Sequence, residues 1–158
     1  MQDIAGCRVV VGDIVEQDRV VQSIRNSFPG ISTVDRRKSP SHGYRAVHAI
    51  AEVNDKIIEI QVRSSSQHLW AELSEKLSDV IDPAIKYGGG QSDLQQMLAK
   101  SSRTVVELEE LETNLAKLPD QEKIRRGWNT EVDRLKQDLQ LIFQTSISWL
   151  QRQKGREK

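Results

Sequence analysis

The spacing of apolar positions along this 158-residue chain changes several times, and each change predicts an element. Residues 4–11 form a short β-branched run that reads as a buried strand, with Asp3 at its head. Over residues 13–28 the apolar positions Ile14, Val15, Val20, Val21, Ile24 and Phe28 fall close to helical spacing, and Pro29-Gly30 stops the run. A second strand is expected over 31–35, followed by a basic loop from Arg36, Arg37 and Lys38 to Gly43. Residues 44–53 and 56–63 then read as two strands joined through Asn54-Asp55, a pair suited to an antiparallel hairpin. Successive side chains of a strand point to opposite faces, so Tyr44, Ala46 and His48 share one side, and Arg45, Val47 and Ala49 the other. In the partner strand Ile57, Glu59, Gln61 and Arg63 share a side. The polar members are expected to form one working surface, with the apolar set turned toward helices.

Leu69, Leu73 and Leu77 repeat every four residues and predict a helix on which His68 and Trp70 serve packing. After Gly88, Gly89 and Gly90 the chain becomes charged and aromatic-poor. Leu94, Leu98, Ser101, Val105, Leu108, Glu112 and Leu115 follow alternating steps of four and three until Pro119-Asp120. Trp128, Val132, Leu135, Leu139, Ile142, Ser146 and Trp149 repeat the pattern. Two such helices predict an antiparallel hairpin whose seam is buried, either against the preceding domain or against a second copy. The expected division is one domain over 1–90 and a helical hairpin over 91–158, with a polar, fraying end from residue 151.

Composition narrows the function classes. Lys plus Arg and Asp plus Glu each number 23, so bulk charge favours neither DNA nor a membrane as partner. The single cysteine, Cys7, cannot form an internal disulfide and is expected as a buried strand thiol. No apolar run approaches the ~20 residues of a spanning helix, and a cytoplasmic protein is expected. The triple glycine lacks the Lys and Ser/Thr of a phosphate-binding P-loop, and no Cys/His cluster suggests a metal centre.

Four polar or charged groups on one sheet face require another explanation, and four ordered blocks supply one. They are Asp3-Ile4-Ala5-Gly6-Cys7-Arg8, Gly43-Tyr44-Arg45-Ala46-Val47-His48, Glu59-Ile60-Gln61-Val62-Arg63, and Gln67-His68-Leu69-Trp70-Ala71-Glu72 followed by Glu75, Lys76 and Leu77. Together, from residue 1 to about residue 90, they resemble the RelA/SpoT alarmone synthetase family. The resemblance implies an α/β (α+β) fold, a mixed nucleotidyltransferase-like sheet followed by a C-terminal helical hairpin. It also implies transfer of pyrophosphate from ATP to the 3′-hydroxyl of GDP or GTP, giving (p)ppGpp. In that scheme Asp3 and Glu59 bind Mg²⁺, and Glu59, or the metal it holds, promotes loss of the hydroxyl proton. The oxygen attacks the β-phosphorus of ATP and AMP leaves. Tyr44 stacks on guanine, His48 and Arg63 contact phosphate or order the site, and Gly43 lets the backbone turn close to the nucleotide. Arg8 is a structural or phosphate-facing cation.

Two departures from the family pattern bear on activity. A basic segment expected upstream of the first strand, which cradles the ATP phosphates in the family, does not precede Asp3. Pro40 stands where some relatives place a lysine, which leaves Arg36, Arg37 or Lys38 to supply that cation. Without an ATP cradle, weak or absent transfer is expected. The alternatives are a catalytically silent guanine-nucleotide-binding or oligomerisation module, or pyrophosphate transfer to a tRNA 3′ end. The resemblance further implies a homo-oligomer built through the terminal helices.

Overall fold

The computed structural model describes residues 5–120, 122 and 127–154. Asp3 and Ile4, expected at the head of the first strand, lie outside the described residues. Four strands form one mixed sheet in the order β1-β4-β3-β2: β1 (Ala5–Val11), β2 (Ser32–Asp35), β3 (Val47–Val53) and β4 (Lys56–Ser64). Strand β1 pairs parallel to β4, while β2–β3 and β3–β4 are antiparallel. The β3–β4 hairpin closes through Asn54 and Asp55 at φ 52° and 60°, the left-handed pair that matches strand twist.

Helix α1 (Ile14–Ser27) starts where Asp13 accepts a hydrogen bond from the Glu16 amide at 2.7 Å. It lays Val20, Val21 and Ile24 on the sheet face formed by Val9, Val47, Ile60 and Val62. Helix α2 (Ser65–Val80) follows β4 with no intervening loop, because Ser64 and Gln67 form a capping box at the junction. A 3₁₀ turn (Ile85–Tyr87), α3 (Ser92–Ala116) and α4 (Trp128–Lys154) complete the chain. The larger core joins Trp70, Leu73 and Leu77 of α2 to Leu98, Val105 and Leu108 of α3 and Leu139, Phe143 and Leu150 of α4. The helical tail therefore packs on the first 90 residues within one chain.

Three expectations are corrected. Cys7 is exposed: β1 is a sheet edge, and its residues from Ala5 to Arg8 are all exposed, burial beginning only toward Val11. Strand β3 begins at Val47 and not at residue 44, because a turn over Ser41 to Tyr44 precedes it. The seam of α4 runs through Val132, Leu139, Phe143 and Leu150, leaving Leu135 40% and Ile142 60% exposed. Packing against α2 as well as α3 rotates the buried stripe from the one a two-helix hairpin selects. The side chains of Trp128 and Trp149 lie outside the described residues.

Candidate active site

Strand pairing sets Gln61 opposite His48 and Glu59 opposite Ile50, so the polar residues of β3 and β4 emerge on one face, away from α1. The turn before β3 adds Tyr44. His42 and Gly43 take φ 52° and 90°, and the Tyr44 amide bonds back to the Ser41 carbonyl at 2.9 Å. Gly43 is required there by packing, since a Cβ would lie 2.8 Å from Trp70 Cζ2 and 3.2 Å from Ser102 Cβ.

Five side chains then close a ring. Arg63 Nη2 donates to Tyr44 Oη at 2.9 Å and to Gln61 Oε1 at 3.1 Å. Tyr44 Oη lies 2.9 Å from His48 Nε2, and His48 Nδ1 lies 2.6 Å from Glu59 Oε1. Gln61 Nε2 donates to Glu59 Oε2 at 3.0 Å. Burial pushes the Glu59 carboxyl up, but the bonds from Gln61 and His48 and the charge of Arg63 outweigh it and hold Glu59 below its ordinary value. An ionised carboxylate only accepts, so His48 Nδ1 carries a proton and, in the neutral imidazole, Nε2 accepts from the Tyr44 hydroxyl. Two arms thus run from one guanidinium to the two oxygens of one carboxylate. Each oxygen keeps a lone pair for another ligand. Arg63 is 2% exposed, and its carbon Cζ stands 4.9 Å from the centroid of the Tyr44 ring.

Glu59, His48, Tyr44 and Arg63, anticipated as site residues, are therefore brought together, with Gly43 beside them. Gln61 completes the ring and was placed on this face by alternation alone. Arg36 and Lys38 are exposed in the turn after β2 and do not join the ring. Arg37 is committed elsewhere: it forks onto Asp35 with two bonds of 2.9 Å and reaches Asp18 on α1 at 2.8 Å. As a substitute for the substrate-facing lysine it is thereby spent.

On the opposite side of the sheet a buried polar network ties this loop to the helices. Gln17 Nε2 donates to the Val62 carbonyl at 2.7 Å and to Gln67 Oε1 at 2.9 Å. Gln67 Nε2 donates to Glu109 Oε1 at 2.6 Å, and Arg45 Nη2 donates to Glu109 Oε2 at 2.6 Å. Arg45 Nη1 then donates to the Arg37 carbonyl at 2.8 Å. Sequence reading missed this network because its members are scattered over four elements.

Two cavities flank these groups. One of about 620 Å³ lies between α1, the 35–38 turn and α3, and includes Lys38 and Arg45 in its lining. The other, of about 330 Å³, is lined by Tyr44, Trp70 and Tyr87 among others. Among the described residues no helix is long and apolar enough to cross a membrane, and no group of three or more His, Cys, Asp or Glu side chains is arranged to hold a metal by itself.

Residues 1–78 match the region found in RelA / SpoT proteins. The chain carries a RelA/SpoT-family domain. An uncharacterised protein of Mycobacterium tuberculosis (strain H37Rv) is 38% identical to it over 92 residues, 55% of this chain and 33% of that protein. A Mycobacterium bovis protein gives the same values. The chain thus spans a third of the length of these curated relatives. The RelA/SpoT domain and its helices share the fold of small alarmone synthetase 2 from Bacillus subtilis, with a TM-score of 0.58 at 22% identity, covering 74% of this chain and 68% of that one. For small alarmone synthetase 1 from the same organism, solved with its product pppGpp, the TM-score is 0.55 at 22% identity, over 73% and 63% of the two chains. A GTP pyrophosphokinase family protein from Streptococcus pneumoniae gives 0.56 at 21% identity, over 81% and 64%.

Proposed function

We propose that this chain is a (p)ppGpp synthetase, transferring pyrophosphate from ATP to the 3′-hydroxyl of GDP or GTP. The observation that supports this most is the orientation of Glu59 by the ring: an ionised carboxylate on an open sheet face, held by donors on both oxygens. The family match and the fold shared with small alarmone synthetases supply the reaction class.

The donor set suits Mg²⁺, which binds through one or two carboxylates and leaves its remaining positions to water and substrate phosphates. Glu59 would hold it together with Asp3, which lies outside the described residues. When bound, the ion supplies neutralisation of phosphate charge and eases ionisation of the acceptor hydroxyl. Glu59, alone or through the ion it holds, promotes loss of the 3′-hydroxyl proton, and the bonds from His48 and Gln61 keep its carboxylate ionised and oriented toward that hydroxyl. Tyr44 stacks on the guanine with the ring face not covered by Arg63, a contact worth about 1–3 kcal/mol per base. His48 fixes one oxygen of Glu59, while Arg63 and Arg8 add positive charge where charge develops on the phosphoryl oxygens.

Incubation with Mg²⁺, labelled ATP and GDP or GTP tests the proposal. AMP and a 3′-pyrophosphorylated guanosine nucleotide are expected, and Glu59→Gln is expected to lower turnover by about 10²-fold or more, the usual scale for a positioned base. Absence of product from the unaltered chain rejects synthesis by this chain alone.

A further inference from the structure

The cavity beside Tyr44 carries polar and aromatic groups that this mechanism leaves unused. Besides Tyr44 and the edge of Trp70, its lining includes Ser41, Glu75, Lys86 and Tyr87, and its volume of about 330 Å³ is on the scale of a small-molecule site. Tyr87 is 70% exposed, the largest exposure among the large apolar or aromatic side chains described. It is nevertheless firmly placed. Ile85, two residues earlier, is buried, the Lys86 amide donates to Ser78 Oγ at 3.0 Å, and Gln95 Nε2 donates to the Ile85 and Gly89 carbonyls at 2.8 and 2.7 Å. Gly88 takes φ +83°, and any Cβ there would collide with the imidazole of His42. The turn bearing Tyr87 therefore abuts the turn that presents Tyr44.

The edges of the cavity have complementary charge. Glu75 sits on α2 with its side chain 54% exposed, and its ion pair with Arg8 is long, at 4.0 Å. Lys86 Nζ stands 5.0 Å from the centroid of the Tyr87 ring. A carboxylate and an ammonium group thus share the rim of a cavity lined by two tyrosines.

We propose that Tyr87 is the second aromatic wall of a base subsite whose first wall is Tyr44, and that Glu75 and Lys86 select guanine by its edge. The inference rests on the reading of Tyr44 as a base-stacking residue. Guanine carries N1–H and N2–H₂ donors on one edge, which a carboxylate accepts together, and O6 and N7 acceptors on another, which suit an ammonium. Adenine offers an N1 acceptor to the carboxylate and an N6 donor to the ammonium, so both contacts turn unfavourable.

Calorimetric titration of the full chain with GDP, IDP and ADP in the presence of Mg²⁺ tests this. IDP lacks only the N2 amino group. The unaltered chain is expected to bind GDP about tenfold or more tightly than IDP or ADP, the scale of one hydrogen bond to a charged group. Glu75→Ala is expected to weaken both, GDP through two lost bonds and IDP through its N1–H alone, and so to abolish the preference for GDP over IDP. Tyr87→Ala is expected to weaken GDP and IDP alike by about tenfold, and Tyr87→Phe to restore both. If GDP binding is lost in Tyr44→Ala but indifferent to Glu75→Ala and Tyr87→Ala, this inference fails and base stacking on Tyr44 stands. If the unaltered chain binds no GDP, or binds it regardless of Tyr44, the stacking reading fails and takes the inference with it.

Discussion

Arg37 and Arg63 illustrate how similar residues acquire different work. Arg37 looks like a substrate cation in a basic loop, yet its fork onto Asp35 makes it a brace between that loop and α1. Burial raises the Asp35 carboxyl, but the bonds and charge of Arg37 prevail and lower it below 3.8. A carboxyl depressed on folding stabilises the native state fully above its unfolded value and loses that contribution as pH falls through the lower folded value. Asp35→Asn is therefore expected to cost about 1 kcal/mol near neutrality, as for a well-formed, partly exposed ion pair. Urea denaturation of both proteins should show that difference shrinking below pH 3.8 and closing at lower pH. That Glu59, His48 and Arg63 share one face was legible from alternation, because a strand's two-residue period assigns its faces directly, whereas Tyr44 joins them from the turn before β3 and only the motif pointed to it. The role of Arg37 was not legible, since no local pattern tells a loop arginine which carboxylate it will meet.

The turn from Ile85 to Gly90 was read from sequence only as a change of composition. Its glycines have a packing role that depends on a distant loop: Gly88 leaves the space that His42 fills. Gly88→Ala combines a disfavoured positive φ with that collision, and is expected to cost about 1–2 kcal/mol. Thermal unfolding should show a fall in Tm of about 3 °C or more. Strands and helices were largely recoverable because each carries its own periodicity and stop signals, such as Pro29-Gly30 and Asn54-Asp55. The start of β3 was misplaced by three residues because the Ser41–Tyr44 turn owes its shape to packing under Trp70 and Ser102, a long-range cause.

At the scale of the molecule, the helices after Gly90 belong to the same core as α2, the helix that continues β4 from Ser64 without a loop. The buried stripe of α4 gives a direct check. Phe143→Ala is expected to cost about 3–5 kcal/mol and Ile142→Ala less than about 0.5 kcal/mol, measured by equilibrium denaturation. The stripe expected from a two-helix seam reverses that order for Ile142. A heptad-like pattern signals only that a face is buried, and contact with α2 as well as α3 shifts which face it is. The network of Gln17, Gln67, Glu109 and Arg45 spans the same junction, and every one of these side chains satisfies another. Replacing a single member by an apolar residue strands its neighbours' polar atoms in the interior, whereas replacing them together need not. Descendants of this chain can therefore drift freely on the outer face of α4, but must inherit these four positions as a set or exchange them as a set.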